Sequence, residues 1–171
     1  MNVVRSGIRL ALIVVAAVLS GCAGYQLGTS SALPFRSIYV APPLNASLAP
    51  QTSALLGAAI RRDLDRSGEV LLTDEEAADA ILKVTLQDLQ REVSADRQDD
   101  AGLARKWRVT ISAECTLKDP RTGKVYFENR IIPAFDEIYA DSGLVTAEYQ
   151  NMPVLMSRLG SAISRDILSV W

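Results

Sequence analysis

The sequence predicts an α+β fold, a two-layer sandwich in which two amphipathic helices cover one face of a mixed, mostly antiparallel sheet of four or five strands. Three observations carry this. Two segments repeat apolar residues at helical spacing: Leu56, Ala59, Ile60 and Leu64 in one, Met152, Leu155, Met156, Leu159, Ile163, Ile167 and Val170 in the other. One segment alternates without error, with Trp107, Val109, Ile111, Ala113, Cys115 and Leu117 set against Arg108, Thr110, Ser112, Glu114, Thr116 and Lys118. Period two over such a length belongs to an antiparallel strand with one buried face. The order of elements is β-α-β, then a meander of long strands, then a helix. A β-α-β crossover is right-handed and joins a parallel pair. The second sheet face, carrying Thr, Arg, Glu and Lys, should meet water or a polar partner.

In chain order, Ser37 to Ala41 reads as a short strand stopped by Pro42-Pro43. Asn45 to Ala49 is loop. Pro50 suits the first turn of a helix, where an N–H has no partner to lose. That helix runs to Ser67. Arg61, Arg62 and Arg66 lie toward its negative end, and Gly68 caps it. Val70 to Leu72 is a short strand, and the acidic stretch Thr73 to Asp79 a solvated turn. Ala80 to Leu89 is a strand with Leu82, Val84 and Leu86 on one face. The long alternating strand follows and places Cys115 in the core. Asp119-Pro120-Arg121-Thr122-Gly123 is hairpin chemistry. Lys124 to Tyr139 returns as a strand in which Pro133 ends the central pairing or marks an edge or bulge. The last helix has two readings. It starts at Asn151 as N-cap with Pro153 in its first turn, or it starts near Val145 and carries Pro153 inside.

Upstream of these elements, Arg5 and Arg9 precede an apolar run from Leu10 to Leu19, followed by Ser20-Gly21-Cys22. A charged start, a short apolar stretch and small residues at a cut site make a secretory signal. The run falls well short of the about 20 residues that a membrane-spanning helix needs. The expected organisation is residues 1–21 as signal peptide, 22–35 as a lipidated tether and 36–171 as a single α+β domain. Cleavage after residue 21 leaves a mature chain of about 150 residues, enough for one domain with a real core.

Composition excludes several functions. The chain holds 18 Lys and Arg against 20 Asp and Glu, and the signal takes Arg5 and Arg9 with it. An acidic mature protein is no general binder of nucleic acid. Histidine is absent, which removes the commonest general base and metal ligand. The sequence carries no nucleophile elbow, no P-loop and no H-E-x-x-H helix. It reads as a non-enzyme, with no cofactor and no metal site. Of two cysteines, Cys22 falls at the cut site, which leaves Cys115 without a disulfide partner in the mature chain. Basic residues gather at two strand connections. One set is Lys118, Arg121 and Lys124, and the other Arg91, Arg97, Arg105, Lys106 and Arg108 around a long loop. Each is either a solvated tip or a holder of anionic lipid head groups through charge-assisted hydrogen bonds.

Leu19-Ser20-Gly21-Cys22 resembles a bacterial lipobox, which implies cleavage before Cys22 and lipidation of that cysteine. The alternative is an ordinary secretory signal with a chance cysteine. Ala23, where an Asp would signal retention, resembles an outer-membrane address of Gram-negative bacteria. Gly24-Tyr25-Gln26-Leu27, FRSIYVAPPLN from Phe35 to Asn45, the Arg-rich helix, Ala77-Ala78-Asp79-Ala80, RKWRVTISAECTLKDPRTGKVYFENR and a final helix ending in Trp171 follow in order. Together they resemble the LPS-assembly lipoprotein LptE family. The resemblance implies a plug inside the outer-membrane barrel protein LptD that assists barrel assembly and lipopolysaccharide delivery to the outer leaflet. It also implies lipid-anchored localisation at the outer membrane, with the domain on the periplasmic side or within the barrel lumen. Lipopolysaccharide then becomes the candidate ligand of Lys118, Arg121 and Lys124. The competing reading is another envelope-assembly lipoprotein, such as a peptidoglycan-synthase activator or a secretion-pore accessory.

Overall fold

A computed structural model describes residues 33–47, 52–94, 106–140 and 143–170. The elements are β1 (Ser37–Val40), β2 (Leu44–Asn45), helix α1 (Thr52–Ser67), β3 (Leu71–Leu72), a 3-10 turn (Glu75–Ala77), β4 (Ala80–Leu86), β5 (Gln90–Val93), β6 (Lys106–Lys118), β7 (Val125–Tyr139) and helix α2 (Leu144–Leu168). Both helices pack on a mixed sheet, as their stripes predict. Leu56, Ile60 and Leu64 of α1 and Leu155, Met156, Leu159, Ile163 and Ile167 of α2 are buried against Leu82, Val84, Ile111 and Leu117. Each such side chain contributes roughly 1.5–3 kcal/mol through burial.

The sheet differs from expectation in size and character. Among the described residues it has seven strands rather than four or five, and it is not mostly antiparallel. The pairs β1–β3, β1–β4 and β2–β4 are parallel, while β4–β6, β5–β6 and β6–β7 are antiparallel. The extra strands left no side-chain signature because both are exposed throughout. β2 is two residues directly after Pro42-Pro43, and β5 (QREV) has no apolar alternation. Their backbones are held by β4 and β6, a tertiary influence that local pattern does not carry.

α2 takes the longer of its two readings. It starts at Leu144 and keeps Pro153 inside. Asn151 is therefore not an N-cap, and its side-chain amide donates to Asp136 Oδ2 at 2.9 Å. Gly68 takes φ +67° just past α1, as a C-cap requires. α1 and α2 approach closely where Gly160 faces Ala59, and the Ser164 hydroxyl donates to the Ile60 carbonyl at 3.4 Å.

The sheet face away from the helices is polar on β4 and β6, where Lys83, Thr85, Thr110, Ser112, Glu114 and Thr116 stand. The polar expectation fails on β7. Ile131, Phe135 and Tyr139 are opposite Glu114, Thr110 and Lys106, and each is at least half exposed. Among the described residues β7 pairs only with β6 and forms an edge of the sheet. Pro133 faces Ser112 within this edge strand, and pairing continues on both sides of it. An edge is where a proline costs no ladder bond. Two residues on, Arg158 of α2 donates to the Phe135 carbonyl at 3.2 Å.

Cys115 is fully buried on the helix side of β6, so it should react slowly with a thiol reagent in native protein and rapidly in denaturant. Burial, with smaller pushes from Asp166 and Glu114, raises its pKa to about 12 from an ordinary 9.0. The stabilisation tied to the neutral thiol is whole below the ordinary value and is lost as pH climbs toward about 12. The denaturation midpoint should fall over that range more steeply than in Cys115→Ala. Equal slopes, or fast native labelling, would place the thiol outside the core.

Candidate functional site

The candidate cations stand on the β6–β7 hairpin. Asp119 builds its turn. One carboxylate oxygen accepts from the backbone N–H groups of Arg121 at 2.8 Å and Thr122 at 3.1 Å, and the other from the Thr122 hydroxyl at 2.7 Å. The Thr122 hydroxyl, then those two N–H groups, hold the Asp119 carboxyl below its usual range. Gly123 closes the turn at φ +73°, a conformation other residues resist. Lys118 ends β6 opposite Val125, and Lys124 sits over the Tyr126 ring with its Nζ 5.1 Å from the centroid.

The hairpin brings the three cations to one tip but leaves them in unlike company. Arg121 is ion-paired with Asp79. Asp79 also accepts from the N–H groups of Arg36 at 3.2 Å and Ser37 at 3.1 Å, and its own N–H donates to the Ser37 hydroxyl at 3.0 Å. Hydrogen bonds from the Ser37 side chain and the Arg36 backbone, with a further pull from Arg121, keep the Asp79 carboxyl below its usual value. The acidic stretch expected as a solvated turn therefore ends in a residue that braces the first strand to the hairpin. Phe35 joins this brace, its ring centroid 5.2 Å from that of Tyr126. Among the described residues, neither Lys118 nor Lys124 has a carboxylate partner, so these two are the cations left for an outside anion.

The described members of the second basic set are each paired with a carboxylate. Arg91 lies in β5, where its guanidinium grips the nearly buried Glu148 of α2, with Nη2 to Oε2 at 3.0 Å. Lys106 and Arg108 converge on Glu137 of β7 at 2.6 and 3.1 Å and hold its carboxyl below the usual range, Lys106 having the larger effect. Arg97 and Arg105 lie outside the described residues, as does Cys22.

Two grooves were not foreseen, each of about 380 Å³. One lies on the open sheet face between Pro42, Leu44, Lys83 and Glu114. The other runs between α2 and the β7 edge, with Arg158 and Arg165 along it. Their spacing on the polar flank of a helix was present in the sequence, but the partner wall comes from β7. Among the described residues, no helix is long and apolar enough to cross a membrane.

Comparison with known proteins gives the family. No curated protein sequence matches the chain. Solved structures share its fold at low identity. A minor lipoprotein from Acinetobacter baumannii is 18% identical with a TM-score of 0.56, over 80% of this chain and 93% of that one. The hypothetical protein CT253 from Chlamydia trachomatis is 11% identical with a TM-score of 0.54, over 80% and 97%. The family model for LptE, described as lipopolysaccharide-assembly, matches residues 35–169. That span runs from the first core aromatic, Phe35, to beyond the end of α2, and the chain belongs to the LptE lipopolysaccharide-assembly family.

Proposed function

We propose that this chain is a lipid-anchored outer-membrane protein that binds the barrel protein LptD. In this reading it assists barrel assembly and acts as its plug while lipopolysaccharide passes to the outer leaflet. The family match, which runs through the described domain, carries the reading. The open sheet face supports it. Hydroxyls and charges there are interrupted by Ile131, Phe135 and Tyr139, a mixture suited to the polar interior of a large barrel. Affinity capture from solubilised outer membrane should bring down LptD. Recovery of a peptidoglycan synthase or a secretion pore in its place would sink the plug reading.

The anchor in this proposal is Cys22, with residues 1–21 removed and the stretch to residue 35 linking lipid to domain. Several acyl chains on one residue hold a protein at a membrane far longer than a single chain. Cys22→Ala should leave the chain unprocessed and free of acyl chains by intact mass. A wild-type mass with an unmodified cysteine would remove the membrane anchor from the proposal.

Lys118, Arg121 and Lys124 are proposed to meet phosphates of lipopolysaccharide. Each exposed charge contributes roughly 0–1 kcal/mol, so single changes should barely register. Arg121→Glu with Lys124→Glu should weaken lipopolysaccharide binding with circular dichroism unchanged. Because Arg121 also serves the Asp79 brace, Lys118→Glu with Lys124→Glu is the cleaner pair. If both pairs bind as wild type does, the tip is a solvated turn.

A further inference from the structure

α2 changes character at Pro153. Beyond it, Leu155, Met156, Leu159, Ile163 and Ile167 are buried. Before it, the helix buries only Ala147 and Glu148, while Val145 and Tyr149 are largely exposed. A segment with few buried apolar contacts belongs to the low-stability end of a fold. Pro153 has no N–H, so the Tyr149 carbonyl lacks its helical partner, and the proline ring crowds that carbonyl. The turn there is weakened and becomes the natural place to bend. At the other end, Gly143 takes φ +98° between β7 and the first helical residue. The stretch Leu144–Met152 is thus bounded by a glycine and a proline.

Two polar fasteners hold this stretch against the sheet. One is the grip of Arg91 on Glu148, which ties it to the exposed strand β5. The Glu148 side chain is 8% exposed and that of Arg91 45%. Closing the pair takes one charge out of water and leaves the other at its edge. Attraction and desolvation oppose each other there, and the surplus is small. The second fastener is the Asn151 amide, which donates to Asp136 Oδ2 at 2.9 Å. Asp136 Oδ1 also holds Arg158, beyond the proline, at 3.0 Å. One carboxylate on β7 grips both sides of the bend. Releasing Asn151 while keeping Arg158 leaves the pivot in place.

We propose that Leu144–Met152 is a strap that lifts as a unit between Gly143 and Pro153 while the rest of the domain stays folded. The Arg91–Glu148 pair is its latch. Lifting returns Glu148 to water and bares the helix-side ends of β6 and β7, where Trp107 pairs with Ile138. Val145 and Tyr149 already face outward, so the open form presents a wider apolar surface than the closed one. The device is separate from the hairpin tip, and it holds whether or not the chain plugs a barrel.

The test uses the full chain in non-ionic detergent. Ala147→Cys places a reporter thiol on the buried side of the strap, and Cys115, fully buried in β6, reports opening of the whole domain. Both are labelled with a thiol reagent under native conditions and read separately by peptide mass. The reporter should react at least about tenfold faster than Cys115, as local opening precedes global opening. Its rate should stay nearly flat across low urea, since lifting exposes little surface, whereas that of Cys115 should climb steeply. Adding Glu148→Gln, which keeps the shape and removes the charge, should speed the reporter by about tenfold and leave Cys115 as it was. Pro153→Ala restores the missing N–H and should slow the reporter. Equal rates or parallel urea slopes at the two thiols overturn the strap, because only global unfolding then reaches position 147. A reporter rate untouched by Glu148→Gln, or both thiols sped alike, overturns the latch. Should Ala147→Cys fail to fold, acrylamide quenching in Trp171→Phe reads the same motion, since Trp107 is then the one tryptophan left. Glu148→Gln should raise that quenching with circular dichroism unchanged, and unaltered quenching overturns the proposal.

Discussion

Replacing Gly160 by alanine should destabilise the domain by about 1–3 kcal/mol, although alanine favours a helix interior over glycine by about 1 kcal/mol. The two effects oppose each other, and the steric one wins for a geometric reason. A Cβ at position 160 would lie 2.7 Å from the Ala59 Cβ and 3.2 Å from both the Ala59 carbonyl carbon and the Ile60 nitrogen. None of these is the movable end of a long side chain. Relief requires α1 and α2 to separate, which loosens Leu56, Ile60, Leu159 and Ile163, all fully buried. A urea titration measures the outcome directly. Adding Ala59→Gly should recover part of the loss. It removes the shortest contact, but the two backbone contacts remain and α1 gains a glycine. A Gly160→Ala midpoint above wild type would mean that the helices are further apart than described.

Leu82→Ala should cost about 2–5 kcal/mol, transfer and cavity combined. Leu82 is fully buried in β4, paired on one side with Val40 of β1 and on the other with Leu117 of β6. Strands on both flanks fix its backbone, so the site cannot collapse around a smaller side chain. Ile131→Ala supplies the contrast. Ile131 has half its surface in water on the open face and should shift stability by no more than about 0.5 kcal/mol. Comparable losses at the two positions would invert the assignment of the sheet faces.

These two sites mark the boundary of what the sequence reveals. Leu82 was legible because one buried face imposes period two on a strand, which also placed Cys115, and a period of 3.6 on a helix, which placed both stripes. Gly160 was not legible. A glycine within a helical stripe is the same letter whether it faces solvent or another backbone, and only the meeting of α1 with α2 decides. The two minor strands escaped for a related reason, because β5 is held by backbone bonds to β6 while its side chains point into water. The candidate tip was legible as a hairpin from Asp119 to Gly123, yet the partner of Arg121 was hidden. Asp79 is 42 residues away, and its acidic neighbourhood reads as solvent-facing. The Arg165 groove stayed hidden because half its wall belongs to a strand edge.

The guard on that edge also has an order in time. β7 carries a long row of backbone groups with Ile131, Phe135 and Tyr139 alternating beside them, the profile of a strand that recruits other strands. Pro133 is part of the strand itself and interrupts any added ladder from the moment the residue is joined to the chain. Arg158 comes 23 residues later than Phe135 and reaches its carbonyl only once α2 has docked. A nascent chain that has finished β7 but not α2 thus has Pro133 and the irregularity at Asn129, where φ is +49°, to keep the edge single, but not yet Arg158. Its vulnerable interval ends when the last helix closes over the rim.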